Sequence, residues 1–479
     1  MIQEKLRALH SRYNPQAEAE RYVESLSLNE NIRFFILIEP GLGYMAAPLR
    51  KKAGGAKVIA LHVEDNPEAK TAEAIDSEWY PGRGVSVQDF LGREISDSLA
   101  AEIRLLEWRP AMTAYGQAYL ALVEETAAFI KRTDANTRTL KTFGQRWFRN
   151  FLKNLTYIRK VLYPVHFSAP LLVTGAGPSL EETIPKIKKS CDSVFTLAVS
   201  SSVAALKAQE LIPDMVINTD GTQWAKFHLH EIFRGAGSGY TLAVSLISAF
   251  PSQCENFPLL IISDGSFWQT LILKELGIPF IVLPQRGTVT ATALDLAFAL
   301  TDNNIYFAGM DLASRDIQSH ERPYSFDRLI EERAGRFSPA YSETYKRSSL
   351  LKSGGSYDIY ASWFKNQLAF YPKRLHSLGN NNPLFNPIET GGIFRQTPEG
   401  RGFTEEISKN LAILNFERRD NIAQTACVIL EKALLEDCQN SISAKLKEEL
   451  KLLIKPERAS VSTEELISAI RLTAGLSGE

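Results

Sequence analysis

Leu171-Leu-Val-Thr-Gly-Ala-Gly-Pro-Ser-Leu180 reads as a strand, a glycine turn and the first turn of a helix, and the longest run of alternating strands and helices follows it. Leu171 to Thr174 are apolar or β-branched and follow Pro170, as a buried strand requires. Gly175 and Gly177 let the chain turn with no Cβ in the way of a neighbour. Pro178 suits a first helical turn, Ser179 offers a hydroxyl there, and Glu181 and Glu182 suit the positive end of the helix. A strand, a glycine turn and a helix N-terminus together form a seat for an anion such as a phosphate. The plain alternative is a βα turn that needed glycine.

The rest of the central region repeats the pattern. Strands are expected at Ser193 to Val199, Met215 to Asn218, Tyr240 to Ser245, Leu259 to Ile262 and Phe280 to Leu283. Then come Pro284-Gln285-Arg286-Gly287-Thr288, the helix ATALDLAFAL, and Asn304-Ile-Tyr-Phe-Ala-Gly309-Met-Asp311. Regular alternation of this kind predicts an α/β fold with a doubly wound, mostly parallel sheet, Rossmann-like or GT-A-like. In such sheets ligands bind at the carboxyl ends of strands. Three strand ends carry polar groups that could converge there: Gly175, Gly177, Pro178 and Ser179; Asn218 and Asp220; and Gly309 to Asp311. Arg286 adds a cation and Thr288 a helix start, a set that suits a nucleotide phosphate.

Ahead of this lies a smaller Rossmann-like region. Asn14-Pro15 starts a helix, Arg33 to Ile38 and Lys57 to Val63 read as strands, and Glu39-Pro-Gly41-Leu-Gly43 as the turn between them. Glu64 and Asp65 stand where such a unit places its ribose-binding acid. The E-x-G-x-G pattern also resembles the first motif of methyltransferases that bind S-adenosylmethionine, but Met45 replaces the third glycine and no further motif follows. From Ser96 the spacing predicts helices, through SDSLAAEIRLLEW and AMTAYGQAYLALVEETAAFIKR and on to TRTLKTFGQRWFRNFLKNLTYIRKVLYP, closing before Pro164. The stretch Arg347 to Gln396 reads as long loops suited to acceptor contact or a lid, and from Thr404 the chain reads as helical. The expected domains are 1–135 (Rossmann-like with a helical extension), 136–169 (helical bridge), 170–400 (catalytic) and 401–479 (helical).

Composition narrows the function classes. A length of 479 residues implies two or three domains at about 150 each, and a net charge of −1 leaves no electrostatic footprint for nucleic acid. Cys191, Cys254, Cys427 and Cys438 form no CxxC pair, so neither a disulfide scaffold nor a thiolate metal site is expected. No run of about 18 apolar residues exists, and the first residues lack the apolar core of a signal peptide, so a cytoplasmic protein without a membrane partner is expected.

The order and spacing of GAGPSL (175–180), PDMVINTDG (213–221) and RGTVTATALDLAFALTDNNIYFAGMDLA (286–313) resemble the motility-associated factor (Maf) flagellin glycosyltransferases, whose central domain is MptE-like. The EPGLGY turn, TFGQRW and NPIETGG (386–392) fit the same layout, so the resemblance covers most of the chain. The same landmarks are similar to the bacterial sialyltransferases of glycosyltransferase family 42, including Tyr324-Ser-Phe326-Asp327 as a lid segment. The resemblance implies transfer of a nonulosonic sugar (pseudaminic or legionaminic acid type) from a CMP donor to flagellin hydroxyls, supporting flagellar assembly and motility. It implies no tightly bound cofactor, leaves Mg2+ open, and casts flagellin and the CMP-sugar as partners, with a homo-oligomer left open. On that reading Gly175, Gly177, Pro178, Ser179, Asn218, Asp220 and Thr288 hold the donor nucleotide, while Arg286, Tyr324, Asp311 and His320 serve catalysis. The sialyltransferases carry a histidine near a stretch resembling Ser356-Tyr-Asp358-Ile; this sequence has none there, and His320 is the nearest substitute. Two alternatives remain. One is an ATP- and Mg2+-dependent pyrophosphokinase of the 6-hydroxymethyl-dihydropterin type, with Asp220 and Asp311 as metal ligands. The other is a non-catalytic flagellar assembly factor.

Overall fold

The computed structural model describes residues 6–28, 32–65, 73–95, 102–188, 194–233, 240–312, 317–353, 361, 363–365, 367–368, 373–379, 407–414, 421–436, 441–455 and 461–474. It divides into two compact units, Met1–Gly144 and Gln145–Glu479. Their boundary falls within one helix, Gln117–Leu155, which joins stretches that the sequence predicts as separate helices.

The first unit is a four-stranded parallel sheet in the order β3-β2-β1-β4, with β1 at Phe34–Ile38, β2 at Lys57–Leu61, β3 at Ser77–Trp79 and β4 at Ile103–Glu107. Every residue of β1 is buried, as a central parallel strand demands. Helix Pro15–Ser25 begins where expected, with the Asn14 side chain accepting from Ala17 N–H and proline in the first turn. One expectation is corrected here. The stretch IRLLE is a strand rather than part of a helix, because β1 offers an unpaired edge and the two run in register from Phe34↔Ile103 to Ile38↔Glu107. As an edge strand it buries Leu106 and exposes Arg104 and Glu107, a pattern easily mistaken for one helical face.

The second unit is built on a ten-stranded sheet. Its strands are β5 (Lys160–Leu162), β6 (Leu171–Thr174), β7 (Phe195–Val199), β8 (Met215–Asn218), β9 (Thr241–Ser245), β10 (Pro258–Ser263), β11 (Ile281–Val282), β12 (Ile305–Ala308), β13 (Leu375–Ser377) and β14 (Leu411–Ile413). Their order is β13-β12-β6-β7-β8-β9-β10-β5-β14, with β11 also on β10. All pairs are parallel except β14 with β5. This is the expected doubly wound, mostly parallel sheet. Leu171, Val173, Phe195, Leu197, Met215 and Ile217 pack in one core cluster with Leu294 and Ala297 of helix Val289–Leu300.

The end of the helical bridge is also corrected: the helix stops at Leu155, and Lys160-Val-Leu162, read as helical, is a strand parallel to β10. Two further expectations change. Leu411-Ala-Ile413, read as helical, instead pairs antiparallel with β5 and closes the sheet at that end. Leu375-His-Ser377, within the stretch read as loops, pairs with β12 at the other end. In both places three residues of apolar or β-tolerant sequence are too few to declare a strand until an open edge selects them. NPIETGG and Asp358 lie outside the described residues. Among the described residues no helix is long and apolar enough to cross a membrane.

The C-terminal helices Ile422–Leu435, Ser441–Ile454 and Thr463–Thr473 pack on one another, and the first two also meet helix Phe267–Glu275. Glu449 ties them down: its carboxylate accepts from Phe267 N–H and Trp268 N–H, both at 3.1 Å, at the start of that helix. Burial pushes the Glu449 carboxyl up, and these two bonds only partly offset it. Glu449→Ala is expected to cost about 1–2 kcal/mol, the usual price of a lost N-terminal cap, measured by chemical denaturation with the Trp268 fluorescence as probe.

Candidate functional site

The large sheet reverses direction between β6 and β12. From β6 the chain winds through β7, β8, β9 and β10 to one side, then returns to place β12 and β13 on the other. The carboxyl ends of β6 and β12 therefore lie side by side at the switch point, where open α/β sheets bind ligands.

Their two loops are sewn together. Gly175 N–H donates to Ala308 O at 2.8 Å and Gly177 N–H to Gly309 O at 2.7 Å. Ser179 N–H donates to the Asp311 Oδ2 carboxylate oxygen at 2.7 Å. A Cβ on Gly177 would stand 2.4 Å from that oxygen, and one on Gly175 2.5 Å from Gly309 O, so close approach explains both glycines. The strand, glycine turn and helix start expected from the sequence are present, and the chain's own Asp311 carboxylate sits at the Ser179 amide. Pro178 has no N–H to give, and Ser179 is buried.

Residues 318–327 lie against this loop. Gln318 Nε2 donates to Glu181 Oε1 at 2.6 Å and Arg322 N–H to the same oxygen at 2.8 Å. Between them Glu321 N–H donates to Ala176 O at 3.0 Å. The His320 ring stacks on Tyr324 with centroids 4.3 Å apart, and its Nδ1 lies 3.0 Å from Ser319 Oγ. Tyr324 is buried, its N–H donates to Asp327 Oδ2 at 2.8 Å, and its ring also meets His228 at 5.4 Å. Phe326 packs with Phe227 and His228 of helix Ala225–Phe233 and with Trp224 just before it. A small open cleft of ≈ 30 Å³ results, lined by Gln318, Ser319, His320, Arg322, Tyr324, Asp327, Ile330 and Thr344.

The remaining expected residues stand apart from that cleft. Asn218 is fully buried, its amide between Ser200 Oγ at 3.3 Å and Ser248 Oγ at 3.4 Å. Both carboxylate oxygens of Asp220 are engaged by Thr222, at 2.8 Å from its N–H and 3.0 Å from its hydroxyl. Arg286 Nε donates to Asp295 Oδ2 at 2.6 Å and its guanidinium lies 5.2 Å from the Trp363 ring centre. Thr288 caps helix Val289–Leu300, its hydroxyl accepting from Thr290 N–H at 3.1 Å. The described residues hold no group of three or more His, Cys, Asp or Glu that could bind a metal ion.

Three residues with no expected role belong to the site: Glu181, Glu321 and Arg322. Arg322, rather than Arg286, is the cation on the cleft. Glu321 is fully buried and neither of its carboxyl oxygens has a hydrogen-bond partner among the described residues. Burial drives its pKa well above the ordinary carboxyl value, and the neighbouring acids Glu181, Asp327 and Asp311 add to the rise. Nothing in His-Glu-Arg-Pro marks such a residue, since an exposed loop would use the same letters.

In the first unit the glycine turn after β1 is also occupied from within. Leu42 N–H donates to His10 Nε2 at 3.0 Å, and a Cβ on Gly41 would lie 2.4 Å from that nitrogen. Burial lowers the His10 pKa, which keeps the ring neutral and able to accept. The Glu39 carboxylate accepts from Val63 N–H at 2.8 Å and faces His62 Nδ1 at 3.4 Å. His62 stacks on Tyr80 at 4.4 Å, and Arg83 covers that ring at 4.2 Å from its centre. Burial opposes a charge on His62, but Glu39 and Glu78 outweigh it and hold its pKa above 6.5. Asp65 pairs with Arg83 at 3.0 Å.

Residues 149–316 match the family model described as 6-hydroxymethylpterin diphosphokinase MptE-like, the domain that the sequence resemblance places at the centre of the chain. Three proteins of Treponema pallidum (strain Nichols), each described as uncharacterized, are similar. One is 26% identical over 283 residues, 58% of this chain and 60% of its own. The second is 30% identical over 115 residues (23% and 54%), and the third 25% identical over 201 residues (39% and 34%). The chain thus spans less than two thirds of the length of these relatives. Among solved structures, the Maf glycosyltransferase from Magnetospirillum magneticum AMB-1 aligns with a TM-score of 0.49 at 14% identity, over 99% of this chain and 77% of that one.

Two outcomes follow from the packing. Gly177→Ala forces a methyl group against the Asp311 carboxylate and Gly309 O and is expected to destabilise the second unit by about 1–3 kcal/mol, read by chemical denaturation. His62 contributes stability that is complete below 6.5 and is lost as pH rises through its raised folded value. The stability advantage of wild type over His62→Gln should therefore shrink as pH rises above 6.5, as denaturation midpoints at a series of pH values will show.

Proposed function

We propose that the MptE-like segment at residues 149–316, with the cleft-forming residues that follow it, is a glycosyltransferase. On this reading it moves a nonulosonic sugar of the pseudaminic or legionaminic acid type from a CMP donor to Ser or Thr hydroxyls of flagellin, in the cytoplasm. The observation that carries the reading is the gathering of His320, Arg322 and Tyr324 in one cleft beside the β6–β12 switch point. The order of sequence landmarks shared with the Maf enzymes supports the choice of donor and acceptor.

The chemistry asks little beyond what these residues supply. The acceptor oxygen bonds to the anomeric carbon of the sugar, the bond from that carbon to the phosphate oxygen breaks, and CMP leaves with the electron pair. The hydroxyl proton passes to His320, whose ring plane is fixed by the stack on Tyr324. Arg322 and the Tyr324 hydroxyl stabilise the departing phosphate. Arg286 is paired with Asp295 of helix Val289–Leu300 and lies over the Trp363 ring.

The description of the family model favours a second reading, diphosphate transfer from ATP. That reaction would draw on Mg2+ ligands, for which Asp220 and Asp311 are the candidates. A non-catalytic assembly role is the third.

Incubating the full chain with flagellin and CMP-activated nonulosonates should shift the intact mass of flagellin by one sugar or more. His320→Ala should slow transfer by about 10²–10⁴-fold. Arg322→Ala should raise the donor KM by about 10–100-fold, as loss of a charge-assisted bond does, and Arg286→Ala far less. No mass shift with any donor, alongside unmodified flagellin in the native cell, sinks the proposal; ATP-dependent modification of a pterin supports the second reading in its place.

A further inference from the structure

We infer that Glu321 is a positioning residue: its uncharged carboxyl keeps the 318–322 segment seated on the glycine loop, and its ionisation unseats that segment together with His320 and Arg322. Three bonds make the seat. Gln318 and the Arg322 N–H both hold Glu181 Oε1, and the Glu321 N–H holds Ala176 O between them. The Glu321 side chain lies inside this clasp, fully buried, with both carboxyl oxygens unpartnered among the described residues.

The ionisable groups acting on it come from three different elements. Glu181 belongs to helix Leu180–Lys188, Asp311 follows β12, and Asp327 begins helix Asp327–Arg333. All are acids, so each opposes a further negative charge, and burial opposes it more. A glutamine or leucine would fill the same space without this liability. What a carboxyl adds is a seat whose strength depends on its proton. The residues flanking Glu321, His320 and Arg322, both line the cleft, so the state of this one carboxyl sets whether base and cation stand together.

The sign is fixed by linkage. The seated state raises the carboxyl above its ordinary value of 4.5, so seating is firmest below 4.5 and weakens as pH climbs toward the raised value. Across that interval each pH unit favours the unseated state about tenfold.

Hydrogen exchange of the full chain without substrate tests this, followed in peptides covering 171–180 and 318–327 and corrected for the intrinsic pH dependence. In wild type the corrected opening should rise about tenfold per pH unit from about pH 5 until it levels off. Glu321→Gln, an isostere of the neutral acid, should exchange slowly with no slope. Glu181→Ala, which removes two of the three clasp bonds, should exchange fast at every pH, and it decides the matter even if the first variant fails to fold. A flat wild-type profile, an unchanged slope in Glu321→Gln, or slow exchange in Glu181→Ala would each overturn the inference. The consequence for transfer rests on the proposed function: Glu321→Gln should extend activity to higher pH. The exchange readout does not rest on it, so failure of either leaves the other standing.

Discussion

Asp311 and the Ser179 amide form the contact on which the second unit's site depends. A carboxylate at the first turn of a helix gains from the helix dipole and from an N–H that would otherwise lack an intrahelical partner. Here the carboxylate comes from the next loop along the sheet edge, so the same 2.7 Å bond that caps the helix also couples β6 to β12. Two glycines make it possible, because any side chain at Gly175 or Gly177 would push the loops apart. With the loops joined, Ala176 O and Glu181 face the 318–322 segment and hold it, and the cleft takes its shape from that segment.

The first unit arrives at a comparable arrangement with other chemistry. Its glycine turn closes on the neutral imidazole of His10, and the acid at the end of β1, Glu39, turns to the Val63 amide and His62. Both glycine loops are therefore self-occupied, one by a neutral acceptor and one by a carboxylate. A glycine turn between strand and helix signals close approach of something; the something can be a ligand or a side chain far away in sequence. His10 lies 32 positions before Leu42 and Asp311 lies 132 positions after Ser179.

That distinction marks how far the sequence could be read. Central strands announced themselves: Leu171–Thr174 and Met215–Asn218 fall where their apolar runs end, and the alternation predicts the doubly wound sheet. Edge strands did not, because Ile103–Glu107, Leu375–Ser377 and Leu411–Ile413 are strands only by virtue of a neighbour's open edge. In the site, the strand-end loops and the His320–Tyr324 pair were legible as chemistry-bearing positions. Glu321 and Arg322 were not, since burial of one and cleft exposure of the other are set by tertiary contacts with Ala176 and Glu181. Asn218 illustrates the reverse: a residue type suited to a ligand, here fully buried with its amide held between Ser200 and Ser248.

The antiparallel pairing of β14 with β5 has a consequence for how the chain is made. β5 is the first strand of the large sheet to leave the ribosome, and its end-of-sheet partner follows only about 250 residues later, an interval of roughly 12–50 s at 5–20 residues per second. Throughout that time one flank of β5 presents unpaired main-chain groups, the kind of surface on which nascent sheets stick to one another. The tail that supplies β14 also brings the helices that dock on Phe267–Glu275, so sheet and cover are completed in the same late step. The order of synthesis thus makes β14 and the helices Ile422–Leu435, Ser441–Ile454 and Thr463–Thr473 a closing piece of the second unit rather than an appendage to it.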